Sequence, residues 1–168
     1  MSRVGKSTLA RQLADQHDLD FVELDSIFHQ ANWTQLPQDD FQSELRERLD
    51  AGRWVVDGTY IDPVGREVVA PEVDKVIWLD LPKFVAASRV LLRTVRRGVK
   101  RETLWNGNRE RLRNLLSLSP DKNLVLSVFG EHGVRRRQIE ALIDSGALDH
   151  ASVIRLRSAA EAAERFPQ

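Results

Sequence analysis

The 168-residue chain has no cysteine, a single methionine and a single tyrosine. Without thiols neither a disulfide framework nor a thiolate metal centre can form, so a reducing compartment, the cytoplasm, is the expected setting. The four histidines, His17, His29, His132 and His150, lack the spacing of metal ligands, which argues against zinc chemistry. Long apolar runs are also missing. Nothing approaches the roughly 18 residues of a membrane span, the N-terminus lacks the basic-then-apolar pattern of a secretory leader, and no membrane partner is expected.

Net charge is absent too, since 25 basic side chains balance 25 acidic ones. The balance conceals an asymmetry. Residues 1–80 carry 8 Lys/Arg against 16 Asp/Glu, and residues 81–168 carry 17 against 9. Residues 83–113 alone hold ten basic and two acidic side chains, a field that attracts phosphates, whether of a nucleotide or of a nucleic acid. The length suits one domain spanning residues 1–168, enough to bury roughly 70% of its unfolded surface.

Periodicity then orders the chain. Leu9, Leu13 and Ala14 give a helix that fades near Asp18, and "DFVEL" is a short β-like run ending at Asp25. Phe41, Leu45 and Leu49 predict a helix over 38–50 with Gly52 at its end, followed by the strand "RWVVDG". Pro63, Gly65 and Pro71 make 59–73 a loop with at most one helical turn. "KVIWLDLP" is apolar enough for a strand covered on both faces. A helix from Pro82 to Arg97 follows, with Val85, Val90, Leu91 and Val95 on its buried side and Gly98 closing it. After a polar stretch, 109–117 and 121–144 return to helix, and "SVIRLR" and a short helix from Ser158 finish the chain. Alternating strands and helices predict an α/β fold, a parallel sheet with helices on both faces.

The chemistry concentrates at the start. In Gly5-Lys6-Ser7-Thr8, directly ahead of an amphipathic helix, backbone N–H groups and the helix N-terminus can converge on an anion. Lys6 would then reach the outer phosphates and the Ser7 hydroxyl a Mg²⁺ ion. Three strand-end aspartates, Asp25, Asp57 and Asp80, point to the same sheet edge. Asp25 and Asp57 are candidates for Mg²⁺ binding or for accepting a proton; Asp80, ahead of Leu81-Pro82, reads as structural. Arg89, Arg93, Arg96 and Arg97 lie at helical intervals and suit stabilisation of a transferring phosphoryl group. Arg135, Arg136 and Arg137 read instead as a solvated basic face. Trp54 and Trp78 belong to strands and the core, whereas Trp33 and Trp105 are candidates for lining an acceptor pocket.

These elements resemble the adenylate-kinase-like P-loop small-molecule kinases, in particular the bacterial "DNA topology modulation" or FlaR-related branch. The resemblance runs over nearly the whole chain, through "GKSTLARQLA", "ELDSIFHQANW", "RWVVDGTY", "VIWLDLP", "ETLWNGNRERLRNL" and "VIRLRS". It implies that Gly5, Lys6, Ser7 and Thr8 hold ATP phosphates and Mg²⁺, that Asp25 orients or deprotonates the acceptor hydroxyl, and that Asp57 lies by the metal and acceptor. It further implies that Arg89 and Arg93 contact ATP, that 98–108 is a lid with Arg101 and Arg109 as further candidates, and that Arg157 approaches the adenine.

Members of that family begin with an apolar strand and an earlier loop glycine. Their central strand would contribute about 1.5–3 kcal/mol for each buried apolar side chain. The expectation is that Met1 is an internal codon or a mis-called start preceded by about ten to fifteen residues, and that without them nucleotide binding is poor.

The leading functional expectation is an ATP-dependent kinase, monomeric or weakly dimeric, acting on a small acceptor that is itself a nucleotide or another hydroxyl or phosphate compound. The alternative is a nucleotide-binding regulatory or DNA-associated protein that does not catalyse. The acidic first half and the lack of a helix-turn-helix or RNA-binding signature speak against nucleic acid.

Overall fold

The computed structural model describes residues 5–50, 52–58, 61–100, 102–108 and 124–167, with the side chains of 61–63 and 124–126 left out. Arg101, Arg109 and the helix expected over 109–117 lie outside the described residues, as do residues 1–4.

The architecture is mixed α/β. Helix α1 (Lys6–His17) leads into β1 (Asp20–Glu23), the short α2 (Leu24–Phe28), α3 (Gln38–Leu49) and β2 (Trp54–Asp57). Strand β3 (Lys75–Leu79), α4 (Lys83–Lys100), α5 (Leu124–Asp144), β4 (Ser152–Leu156) and α6 (Ala159–Arg165) follow. β1 runs parallel to β2 with Glu23 opposite Asp57, and β3 runs parallel to β4 with Leu79 opposite Leu156.

The expected single sheet is divided into these two pairs. β2 and β3 belong to separate two-stranded sheets, and residues of both border a cavity of about 620 Å³ that also touches Leu9, Leu13 and Leu142. Trp78 Nε1 and Asp57 Oδ1 are buried without a hydrogen-bond partner among the described residues, and both residues border this cavity.

Three apolar clusters hold the elements. Phe41 and Leu45, the most deeply buried residues of α3, pack with Val22, Leu24 and Ile27 beneath the first sheet. Val64 and Val68 join them from a π-type helix at Ile61–Val69. This stretch is helical where turn residues suggest a loop. Pro63 falls in its first turn, where a missing N–H costs nothing, and the i, i+4 valines supply a buried stripe.

α4 also departs from expectation. It continues through Gly98 to Lys100, and Glu102 extends its hold by donating its N–H to Arg97 O at 3.0 Å. Its buried face is Ala86, Ala87, Val90 and Thr94; Val85, Leu91 and Val95 are exposed. With 3.6 residues per turn, fixing Val90 inward carries 86, 87 and 94 with it and turns 85, 91 and 95 outward. Ser158 caps α6, its Oγ accepting from Glu161 N at 3.0 Å. No helix among the described residues is long and apolar enough to cross a membrane.

Candidate functional site

α1 starts immediately after Gly5, whose φ of 84° lies in the left-handed region that glycine enters at no steric cost. Arg89 Nη1 stands 3.0 Å from where a Cβ would be, which places its guanidinium against this glycine. The backbone N–H groups of a helix's first turn have no intrahelical partners, so the segment Gly5–Thr8 presents N–H groups toward the helix N-terminus together with the positive end of the helix dipole. A cavity of about 640 Å³ is lined by Gly5, Ser7 and Thr8 together with Arg93, Arg96 and Arg97, and also by Asp15 and Glu23. Glu102 pairs with Arg96 at 3.6 Å and with Arg97 at 3.7 Å, while Arg11 pairs with Glu23 at 3.0 Å.

The two carboxylates arrive from different elements. Asp57 is the last residue of β2, and Asp25 stands in the first turn of α2 rather than at a strand end. Both are buried. What lets them approach is Gly58, since a Cβ there would lie 2.6–2.9 Å from three side-chain atoms of Leu24. A strand followed by a residue without a side chain thus packs directly against the start of α2.

Lys6 extends into this group. Burial pushes its ammonium down from 10.5 to about 8, against the attraction of Asp57 and Asp25, with Arg135 and Arg93 adding repulsion. Burial likewise raises Asp57 above 3.8, opposed by a hydrogen bond from Ser7 and by the charge of Lys6. Loss of hydration is the first cause in both cases.

Lys6, Ser7, Asp25, Asp57 and Arg93 therefore come together, with Arg89 at Gly5. Arg157 does not join them. It lies exposed after β4, its backbone N–H bonded to Glu161 Oε2 at 2.6 Å, and it lines neither cavity.

Two residues enter that sequence reasoning placed elsewhere or passed over. Arg135 sits in a run that suggests a solvated basic face, yet it is close enough to Lys6 to lower its pKa; Arg136 turns instead to Asp80 and Glu140. Nothing local separates the three arginines, and only the position of α5 against α4 does. Asn108 is the second. It is 4% exposed and bonded to the loop beyond α2. Trp33 and Trp105 each pack against His29, with ring centroids 5.4 and 6.0 Å from its ring, and neither lines either cavity.

Comparisons of the chain with protein-family models, with curated proteins and with solved structures find no match.

Proposed function

We propose that this chain is a P-loop phosphotransferase of the nucleoside-monophosphate-kinase type, moving the γ-phosphoryl group of ATP to a small acceptor. The observation that carries the reading is the placement of Lys6. A lysine directly behind a left-handed glycine at a helix N-terminus shares one desolvated cluster with two carboxylates and two arginines. A desolvated ammonium gains most from an anion, because its own hydration has already been lost.

In this reading the backbone N–H groups of Gly5–Thr8 and the Lys6 ammonium hold the β- and γ-phosphates. Arg89 and Arg93 flank the same phosphates, and Arg135 faces them from α5. The acceptor hydroxyl attacks the γ-phosphorus; its O–P bond forms as the bridging P–O bond to the β-phosphate breaks, its proton passes to Asp25 and ADP departs. The arginines stabilise the charge spread over the transferring oxygens.

Ser7 and Asp57 are suited to holding Mg²⁺. They are hydrogen-bonded to each other, and Asp57 Oδ1 is buried with no hydrogen-bond partner among the described residues. No cluster of three or more His, Cys, Asp or Glu able to hold a metal occurs among the described residues. The rest of the shell would fall to phosphate oxygens and water, as is usual for this ion. When bound, Mg²⁺ neutralises phosphate charge.

The test is calorimetry with Mg·ADP, followed by ATP turnover against a panel of small hydroxyl and phosphate acceptors. Saturable binding, lost together with turnover in Lys6→Ala, is expected. Absence of binding, or turnover retained in Lys6→Ala, refutes the assignment.

A further inference from the structure

The segment after α4 folds back on itself. Leu104 N donates to Asn108 O at 2.7 Å, Gly107 N to Leu104 O at 3.2 Å and Asn108 N to Trp105 O at 3.1 Å. Asn106 takes a left-handed φ of 54° at its apex. Opposite lies the loop that follows α2, itself closed by Gln30 N to Thr34 O at 2.8 Å and Leu36 N to Phe28 O at 2.9 Å.

Between these two closed turns the contacts are made by asparagine. Asn108 uses both ends of its amide, Nδ2 donating to Gln30 O and Oδ1 accepting from Trp33 N, each at 2.9 Å. Asn106 Nδ2 donates to His29 O at 2.7 Å and Ser26 O at 3.2 Å. The last carbonyls of a helix lack intrahelical partners, so Asn106 caps the end of α2 from a segment about 80 residues away in sequence. The stacked rings of His29 and Trp105 close the joint.

We infer that Asn106 and Asn108 are positioning residues: a two-point latch joining the end of the arginine-bearing α4 to the loop beyond Asp25, and so fixing the acceptor side of the site against the phosphate side. One end of the link is continuous with α4, because Glu102 pairs with Arg96 and Arg97 and bonds back to Arg97 O. The other is continuous with α2, because His29 N donates to Asp25 O at 3.1 Å. Neither asparagine lines the arginine-lined cavity, and their effect is exerted through α2 and α4. A misplacement of about 1 Å at the reacting groups is enough to cost on the order of 100-fold in rate.

This inference rests on the phosphotransferase reading for its kinetic consequence alone. The test uses two variants and amide hydrogen exchange. Asn108→Asp keeps the shape but replaces the donor to Gln30 O with a carboxylate oxygen. Asn106→Gly removes the side chain while permitting the left-handed backbone. Both are expected to speed exchange at least tenfold across 26–35 and 102–108 together, with α1 and α3 unchanged. Hydrolysis of Mg·ATP, water serving as acceptor, should show kcat falling about tenfold while KM stays within twofold. A merely structural role moves both constants or neither. Faster exchange confined to 102–108, or kcat unchanged in the variants, overturns the inference. Should Asn108→Asp lose protection everywhere, Asn106→Gly decides by the same criteria. If the wild type binds no Mg·ADP, the phosphotransferase reading fails by itself, and exchange decides whether the two segments are latched.

Discussion

Arg155 donates from both Nε and Nη2 to the same carboxylate oxygen of Asp80, at 3.0 and 2.6 Å, with its guanidinium 4.1 Å above the ring of Trp78. Asp80 is buried and Arg155 only partly so; Glu140 and Arg136 complete the cluster. A carboxylate engaged in this way ties β3, β4 and α5 together. Asp57 and Asp25 are the two strand-region aspartates that meet at Lys6.

Asp80→Asn should therefore lower the melting temperature without altering Mg·ADP affinity. The substitution leaves Arg155 beside a neutral partner, and a charge-assisted bond is the stronger kind. The same Asp80 bonds hold Arg155 more firmly protonated. Thermal melts and calorimetric titrations on one preparation check both halves; a change in nucleotide affinity at constant stability would move Asp80 into the site.

Lys6 gives a pH prediction. Its folded pKa of about 8 lies below the unfolded 10.5, so the cost of its buried charge is present below pH 8 and is relieved as pH rises from 8 to 10.5. A bound phosphate restores the charged form. Binding of Mg·ADP near pH 8.5 should accordingly take up a fraction of a proton and weaken as pH climbs toward 10. Titrations in buffers of different ionisation enthalpy read the uptake directly, and Lys6→Ala should abolish it. Buffer-independent heats would show that the ammonium does not meet the anion.

How much of this was legible beforehand depended on whether the signal was local. Gly5, Lys6, Ser7 and Asp57 announce themselves by residue type and neighbours, and the helix beginning at Lys6 follows from Leu9, Leu13 and Ala14. At Asp25 a five-residue helix replaces the expected strand end. The helix at Ile61–Val69 was hidden because Pro63 and Gly65 speak for a turn, while the stripe that overrides them, Val64 and Val68, is only one turn long. The buried face of α4 is legible only at Val90 for a different reason: opposite the basic face of Arg89, Arg93, Arg96 and Arg97, apolar residues cover more than half of the circumference, and periodicity cannot choose which part of so wide an arc is buried. Arg135 and Asn108 had no local signal, since their roles depend on packing across the fold.

Gly58→Ala tests the close approach of β2 to α2. Three atoms of Leu24 would lie within 2.9 Å of the new methyl group, so either Leu24 or β2 must shift. Overpacking of this kind costs about 1–3 kcal/mol, measurable by denaturant titration. Because the shift separates Asp57 from the helix carrying Asp25, turnover should fall more than the loss of folded protein explains. A variant as stable and as active as wild type would mean that the two elements yield without consequence.

Asp57→Asn separates stability from function. Burial raises the folded pKa of Asp57 above the unfolded 3.8, so the favourable contribution of its neutral form is present below pH 3.8 and lost as pH rises through the folded value. At pH 7 the wild type carries the cost of a buried ionised carboxylate, partly offset by Ser7 and Lys6. Asparagine removes that cost and can still accept from Ser7. Its melting temperature at pH 7 should equal or exceed that of wild type, and the advantage should vanish near pH 3, where both side chains are neutral. Turnover of Mg·ATP should nevertheless fall by at least 100-fold if Asp57 faces the metal. Melting curves at pH 3 and 7 beside steady-state rates check the pair, and a variant less stable at pH 7 than at pH 3, relative to wild type, would mean that Lys6 and Ser7 outweigh the burial of the carboxylate.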